Sequence, residues 1–178
     1  MKLELKDDVR TLLLIDDEPD IIEIVFAMLK RPHLHLLLAN SGAEALAVLE
    51  KRPVDAILSD IRMPEMSGVA MVQEVRNRGF ATPIVLMSGF ADYGEILEAL
   101  RVGVIDVVEK PFSKDRLVAA VKHAIEVGCS VRSIQSDLKR LGGDQPIDSK
   151  FVDILKSFSL YLSQEEVERA RRQGTKAF

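Results

Sequence analysis

Four short apolar runs in the first 110 residues each stop at a residue with chemistry to offer. Val54 to Leu58 leads through Ser59 to Asp60, Thr11–Ile15 runs into Asp16, Asp17 and Glu18, Pro83–Met87 into Ser88 and Gly89, and Val104–Val108 into Glu109, Lys110 and Pro111. About five consecutive apolar residues between turn signals read as a strand buried on both faces, the environment of a parallel sheet. In open α/β sheets, ligands bind in the crevice outside the carboxyl ends of the strands. The polar residues at these four ends are therefore delivered to one place. Any one of them alone reads as a solvated loop residue. Together they form a set with an acidic pair, a third carboxylate, a hydroxyl and an ammonium. Carboxylate oxygens suit Mg²⁺, a hard cation that keeps several of its waters. The hydroxyl and the ammonium complete a cradle for a phosphoryl group.

Helical patterns separate the runs. Pro19 is a favoured first-turn residue, and Asp17 is placed to cap a helix that carries Ile21, Ile22, Val25, Met28 and Leu29 and stops before Pro32. His35–Ala39 reads as a further strand. Ser41 with Glu44 three residues on is a capping-box pattern, and this helix ends by Pro53. Pro64, Ser67 and Gly68 make a turn after Asp60, and Val69, Val72 and Val75 line a third helix that ends near Gly79. Asp92 is placed to cap a fourth, with Ile96, Leu97 and Leu100, ending at Gly103. Ser113 is placed to cap a fifth. Five strands alternating with five helices predict a doubly wound parallel α/β sheet.

Charge and composition narrow the setting. Residues 1–126 hold 15 Lys and Arg against 21 Asp and Glu, and residues 127–178 hold 9 against 7, for a net charge of −4. An acidic excess argues against general nucleic-acid binding, and Arg171-Arg172 is too short for a basic patch. No run approaches the ~20 apolar residues of a membrane helix. The first eight residues lack the apolar core of a signal peptide. Cys129 is the only cysteine, so no internal disulfide forms and a reducing compartment is expected. A cytoplasmic location is the expectation. His33 and His35 read as solvated residues beside a strand, His123 as a surface or interface residue, and Met63, Met66, Met71 and Met87 as packing.

On Asp16-Asp17, Asp60, the Met63-Pro64-x-Met66-x-Gly68 turn, Ser88 and Lys110-Pro111, in this order and spacing, the chain resembles the response-regulator receiver domains of two-component signalling. The resemblance covers residues 9 to 126. It implies a flavodoxin-like five-stranded sheet in the order 2-1-3-4-5. It implies that Asp60 accepts a phosphoryl group from a histidine kinase or phosphotransfer protein, and that Mg²⁺ is held directly by Asp17, Asp60 and the backbone carbonyl of Arg62, with Asp16 acting through a bound water. Lys110 and Ser88 would contact phosphoryl oxygens, and a cis Lys110–Pro111 peptide would aim the lysine inward. Such a domain is a signalling switch rather than an enzyme with a separate substrate, and it acts on a downstream protein partner.

Two positions depart from the family pattern. Ser88 stands where threonine is common, which keeps the hydroxyl. Val107 stands where a tyrosine or phenylalanine usually serves as a switch residue, so the ring movement that partners read is missing. A phosphorylation-independent adapter is one alternative. An Asp-nucleophile phosphatase of the haloacid-dehalogenase type is another, but it needs an acid/base aspartate two residues after the nucleophile, where this chain has Arg62.

The receiver is expected over 1–126 and a helical tail over 127–178. Leu117, Ala120, Ala124, Val127, Val131, Ile134, Leu138 and Leu141 follow one another at steps of three and four, a heptad seam that extends the fifth helix. Gly128 could mark a bend, since glycine costs about 1 kcal/mol in a helix interior. Only the first turns can lie on the sheet, leaving Val131, Ile134, Leu138 and Leu141 to face a second copy in a homodimer or an antiparallel helix over Phe151–Leu162. Output is expected through this tail or through dimerisation, not through DNA binding.

Overall fold

In the computed structural model, residues 9–89 and 93–140 are described. Among them, five strands and five helices alternate: β1 (Arg10–Ile15), α1 (Pro19–Leu29), β2 (Leu34–Ala39), α2 (Gly42–Lys51), β3 (Ala56–Asp60), α3 (Gly68–Asn77), β4 (Ile84–Ser88), α4 (Tyr93–Arg101), β5 (Asp106–Glu109) and α5 (Lys114–Arg140). The strands are all parallel, in the order β2-β1-β3-β4-β5. This is the predicted flavodoxin-like, doubly wound α/β sheet.

Successive side chains of a strand point to opposite faces, and here each face is covered. Leu13, Ile15, Ile57, Ile84 and Leu86 pack against α2, α3 and α4 through Leu46, Leu49, Val72, Val75 and Leu100. Leu12, Leu14, Leu58, Val85 and Met87 pack against α1 and α5 through Val25, Leu29, Leu117 and Val121. Burial on both sides explains why these strands read as continuous apolar runs rather than alternating ones. Met63, Met71 and Met87 are buried, as packing residues should be.

The helix starts follow local chemistry. The Ser41 hydroxyl accepts from the Glu44 N–H at 3.2 Å. The Glu44 carboxylate reaches one residue further back than a standard capping box, to the Asn40 N–H at 2.8 Å. Ser67 and Ser113 cap α3 and α5 through the N–H groups of Ala70 and Arg116, both at 3.2 Å. The expected cap by Asp17 is not made. Glu18 is the N-cap residue of α1, without a side-chain capping bond, and Asp16 Oδ1 accepts from its N–H at 3.0 Å. Asp92 lies outside the described residues.

Two expectations need correction, and Gly128 takes a role of its own. The last strand begins at Asp106 rather than Val104: the Val104 N–H bonds back to the Ala99 carbonyl in the turn that closes α4, and Ile105 meets β4 only through its N–H to the Ile84 carbonyl. Gly128 lies within α5, which runs as one helix of 27 residues. A Cβ there would lie 2.1 Å from the Asp55 carbonyl oxygen, so the glycine permits close approach of helix and strand. Val131 does not face water. It is 4 % exposed and packs with Ala81, Val127 and Ile105. The side chains of Ile134 and Leu138, together with Leu141 and Phe151–Leu162, lie outside the described residues.

Arg76 of α3 is a buried cation that the sequence reading missed. It is 8 % exposed. Its guanidinium donates to the carbonyls of Phe80 (2.8 Å), Thr82 (2.9 Å) and Gly103 (3.0 Å). Burial pushes its pKa down to about 10, so it stays charged at neutral pH. It holds the loops leading into β4 and β5 together. Arg76→Ala would leave three carbonyls without this donor, each loss costing about 1 kcal/mol. That should exceed the relief of no longer burying a cation, lowering the urea midpoint by an amount equivalent to about 2 kcal/mol at unchanged m-value.

Candidate functional site

The carboxyl ends of β1, β3, β4 and β5 meet at one edge because the strands are parallel and in register. Ile15 lies beside Ser59, Asp60 beside Met87, and Ser88 beside Glu109. This brings Asp16, Asp60, Ser88 and Lys110 together from positions up to 94 residues apart. Asp16 is fully buried, Asp60 is 7 % exposed and Ser88 is 3 % exposed. Asp17 follows Asp16 in the turn into α1 and is partly exposed.

Lys110 ties the acidic groups together. Its Nζ lies 2.5 Å from Asp60 Oδ1 and 3.2 Å from Asp16 Oδ2. Its backbone N–H donates to the Ser88 carbonyl at 2.5 Å, and the Lys110–Pro111 peptide is cis. The second Asp60 oxygen, Oδ2, accepts from the Arg62 N–H at 2.7 Å. Donors at both oxygens fix the plane of the carboxylate. Burial raises the Asp16 pKa, against the lowering influence of the Glu18 N–H and the Lys110 ammonium. Burial also opposes the charged form of Lys110, but its hydrogen bond to Asp60 and the two carboxylate charges outweigh it and raise its pKa.

The turn after Asp60 is built around a glycine and a strained residue. Gly68 N–H donates to the Ile61 carbonyl at 2.7 Å, and a Cβ on Gly68 would lie 2.2 Å from the Asp60 carbonyl oxygen. Glu65 has φ +63°, and the Met66 side chain abuts Gly42 at the start of α2. The Arg62 side chain turns away from the acceptor and pairs with Glu95 of α4 at 3.1 Å. That pairing was not foreseen, since nothing local to Arg62 signals a partner 33 residues away. Val107 is partly buried against the core. Its N–H donates to Asp106 Oδ1 at 2.8 Å and its carbonyl accepts from Arg116 at 3.1 Å.

The donor set suits a hard divalent cation. Asp16, Asp17 and Asp60 carry three negative charges against one ammonium, and all their donors are oxygens. Among the described residues no group of three or more His, Cys, Asp or Glu side chains is arranged to hold a metal ion by itself. His33 and His35 lie at the opposite end of the sheet: the His33 carbonyl accepts from the N–H of Arg10, which opens β1. His123 is exposed on α5. No described helix is long and apolar enough to cross a membrane.

Five parallel strands with an acidic cluster, a lysine and a hydroxyl at their carboxyl ends define a receiver-type α/β domain. The chain belongs to the response regulator receiver domain family, whose model matches residues 12–122. It is 31 % identical over 147 residues to an NtrX-like response regulator of Rickettsia bellii, covering 78 % of this chain and 31 % of that protein. It is 32 % identical over 133 residues to the regulatory protein AtoC of Escherichia coli, covering 75 % of this chain and 28 % of that protein. The chain thus spans less than a third of the length of these relatives. Among solved structures, the receiver domain of NtrX from Brucella abortus is 30 % identical with a TM-score of 0.61, covering 65 % of this chain and 98 % of that one. The FixJ-N crystal structure is 26 % identical with a TM-score of 0.62, covering 66 % and 94 %.

Gly68→Ala is expected to displace the Asp60 backbone, since neither atom in that 2.2 Å contact is a flexible side-chain end. Overpacking of this kind costs about 1–3 kcal/mol. A thermal melt should show Tm lowered by roughly 5 °C or more.

Proposed function

We propose that the chain is a phosphorylation switch in which Asp60 accepts a phosphoryl group from the phosphohistidine of a kinase or phosphotransfer protein. The observation that carries this reading is the Asp60 carboxylate, oriented at both oxygens by Lys110 Nζ and the Arg62 N–H at the mouth of the sheet. An Asp60 oxygen attacks phosphorus, the P–N bond to the partner's imidazole breaks, and the imidazole keeps that electron pair. Lys110 offers a compact positive charge to the transferring group. Ser88 donates its hydroxyl to another phosphoryl oxygen. Phosphoryl transfer depends mainly on positioning and charge neutralisation.

Mg²⁺ would be held by Asp17, Asp60 and the Arg62 carbonyl, with Asp16 acting through water; two carboxylates, one carbonyl and water satisfy the preference of this ion. When bound it neutralises charge shared between the acceptor and the phosphoryl oxygens. The switch acts in the cytoplasm on a downstream protein and carries no second enzymatic activity. The position two residues past Asp60 holds a cation paired with Glu95, which gives the phosphatase alternative no acid/base group there. The intact cluster speaks against a phosphorylation-independent adapter. Val107 leaves the switch without an aromatic signal, so Ser88 and the backbone around it carry the change.

The test is labelling by a small-molecule phosphodonor. Labelling should require Mg²⁺ and vanish in Asp60→Asn, and the Mg²⁺ concentration needed should rise more in Asp17→Asn than in Asp16→Asn. Undiminished labelling of Asp60→Asn would overturn the assignment.

For output, the receiver core would extend over 1–126 and the tail over 127–178, the tail starting within α5 on the receiver surface, with the seam through Ile134 and Leu138 pairing two copies. Sedimentation should show a dimer that Ile134→Asp combined with Leu138→Asp converts to monomer. A parent that stays monomeric with and without beryllofluoride at tens of micromolar would rule the dimer out.

A further inference from the structure

Asp55 sits just before β3, at the opposite end of that strand from Asp60. It is 3 % exposed. Its Oδ2 accepts from the Thr11 N–H at 2.7 Å, and its own N–H donates to the Thr11 carbonyl at 2.8 Å. These two bonds tie Asp55 to β1. Its Oδ1 faces α5, where Arg132 forms an ion pair with it and Cys129 Sγ lies 4.0 Å away. One turn earlier Gly128 presses its backbone onto the Asp55 carbonyl, leaving no room for a Cβ. Val131 fills the neighbouring space against Ala81. The α5 residues in these contacts, Gly128, Cys129, Val131 and Arg132, lie beyond residue 122, where the match to the family model ends.

We propose that Asp55, Gly128 and Arg132 form a clamp that makes α5 part of the receiver body as far as Arg132 and fixes the direction in which the helix leaves it. An apolar seam alone would let α5 slide or pivot, because Val and Ala contacts are not directional. The clamp is directional: a buried carboxylate already committed to Thr11 accepts one guanidinium, and the glycine sets the depth of approach. Asp55 and Arg132 touch no reacting group, so they act as positioning residues. A change at Asp60 then reaches residues 133–140 through β3 and the clamp rather than through a loose joint. That last step rests on the phosphorylation reading; the clamp itself does not.

Amide hydrogen exchange on the full chain tests both parts, with Asp60 labelling by a phosphodonor measured on the same samples. Arg132→Ala and Gly128→Ala should speed exchange over residues 128–140 by about tenfold or more relative to residues 116–122, while Asp60 labelling stays within about twofold of the parent. Arg132→Lys should restore part of the protection, which loss of packing alone would not predict. Beryllofluoride should alter exchange over 128–140 in the parent and not in Arg132→Ala. Exchange unchanged in both Arg132→Ala and Gly128→Ala would overturn the clamp. A beryllofluoride response equal in the parent and Arg132→Ala, or absent from a parent that labels, would overturn transmission through it. A parent that does not label would overturn the phosphorylation reading and transmission with it, leaving the clamp to be judged on exchange alone.

Discussion

The five-stranded parallel sheet has helices on both faces, and that constraint places the polar residues. A polar group in the middle of such a strand must find a partner or forfeit its hydration. Ser59 shows the terms of admission: fully buried, it donates its hydroxyl to the Asp60 carbonyl at 2.9 Å. The other polar groups are driven to the strand ends. Asp16, Asp60, Ser88 and Lys110 therefore share one edge, and Asp55 lies at the other, where it bonds Thr11 and Arg132.

At the carboxyl edge the electrostatics are unbalanced by design of the fold. Asp16 is fully buried and Asp60 nearly so, and one ammonium serves both. Burial disfavours every charge there, which is why the Asp16 pKa rises in spite of its donors. Lys110 gains more from Asp60 and Asp16 than burial takes away. Three carboxylates against one lysine leave room for further positive charge, and a bare phosphoryl anion would meet repulsion without it. A divalent cation on oxygen donors would meet that need with less steric demand than a second side chain.

Much of this was legible in the residues. The apolar runs, the serine caps and the carboxyl-end acidic set are local patterns, and each element among the described residues formed within two residues of its expected place. What was not legible depends on long-range geometry. Arg76 looks like any helical arginine until Phe80, Thr82 and Gly103 turn their carbonyls toward it. Gly128 reads as a weak point in a helix when only helix propensity is considered. The close Asp55 carbonyl reverses that meaning. By spacing Asp17 is placed to cap α1, but the helix opens one residue later with Glu18 at the N-cap, leaving Asp17 outside the helix start.

β3 ends in a carboxylate at Asp60 and is preceded by another at Asp55, five residues earlier, about 17 Å apart along an extended chain. Two contacts could carry a displacement of the acceptor turn outward. One is the Arg62–Glu95 pair to α4, whose side chains are 59 % and 33 % exposed. Exposed pairs are worth about 0–1 kcal/mol and weaken with salt. The other is the clamp on α5, where the side chains of Arg132 and Asp55 are 39 % and 3 % exposed, so that loss of the guanidinium would leave a buried carboxylate held by the Thr11 N–H without its ion-pair partner, a larger penalty than loss of a solvated pair. A stiff strand ending in the stronger contact transmits motion better than a solvated side-chain pair. The firmer mechanical connection therefore runs from Asp60 down β3 to α5, the helix that leads out of the domain.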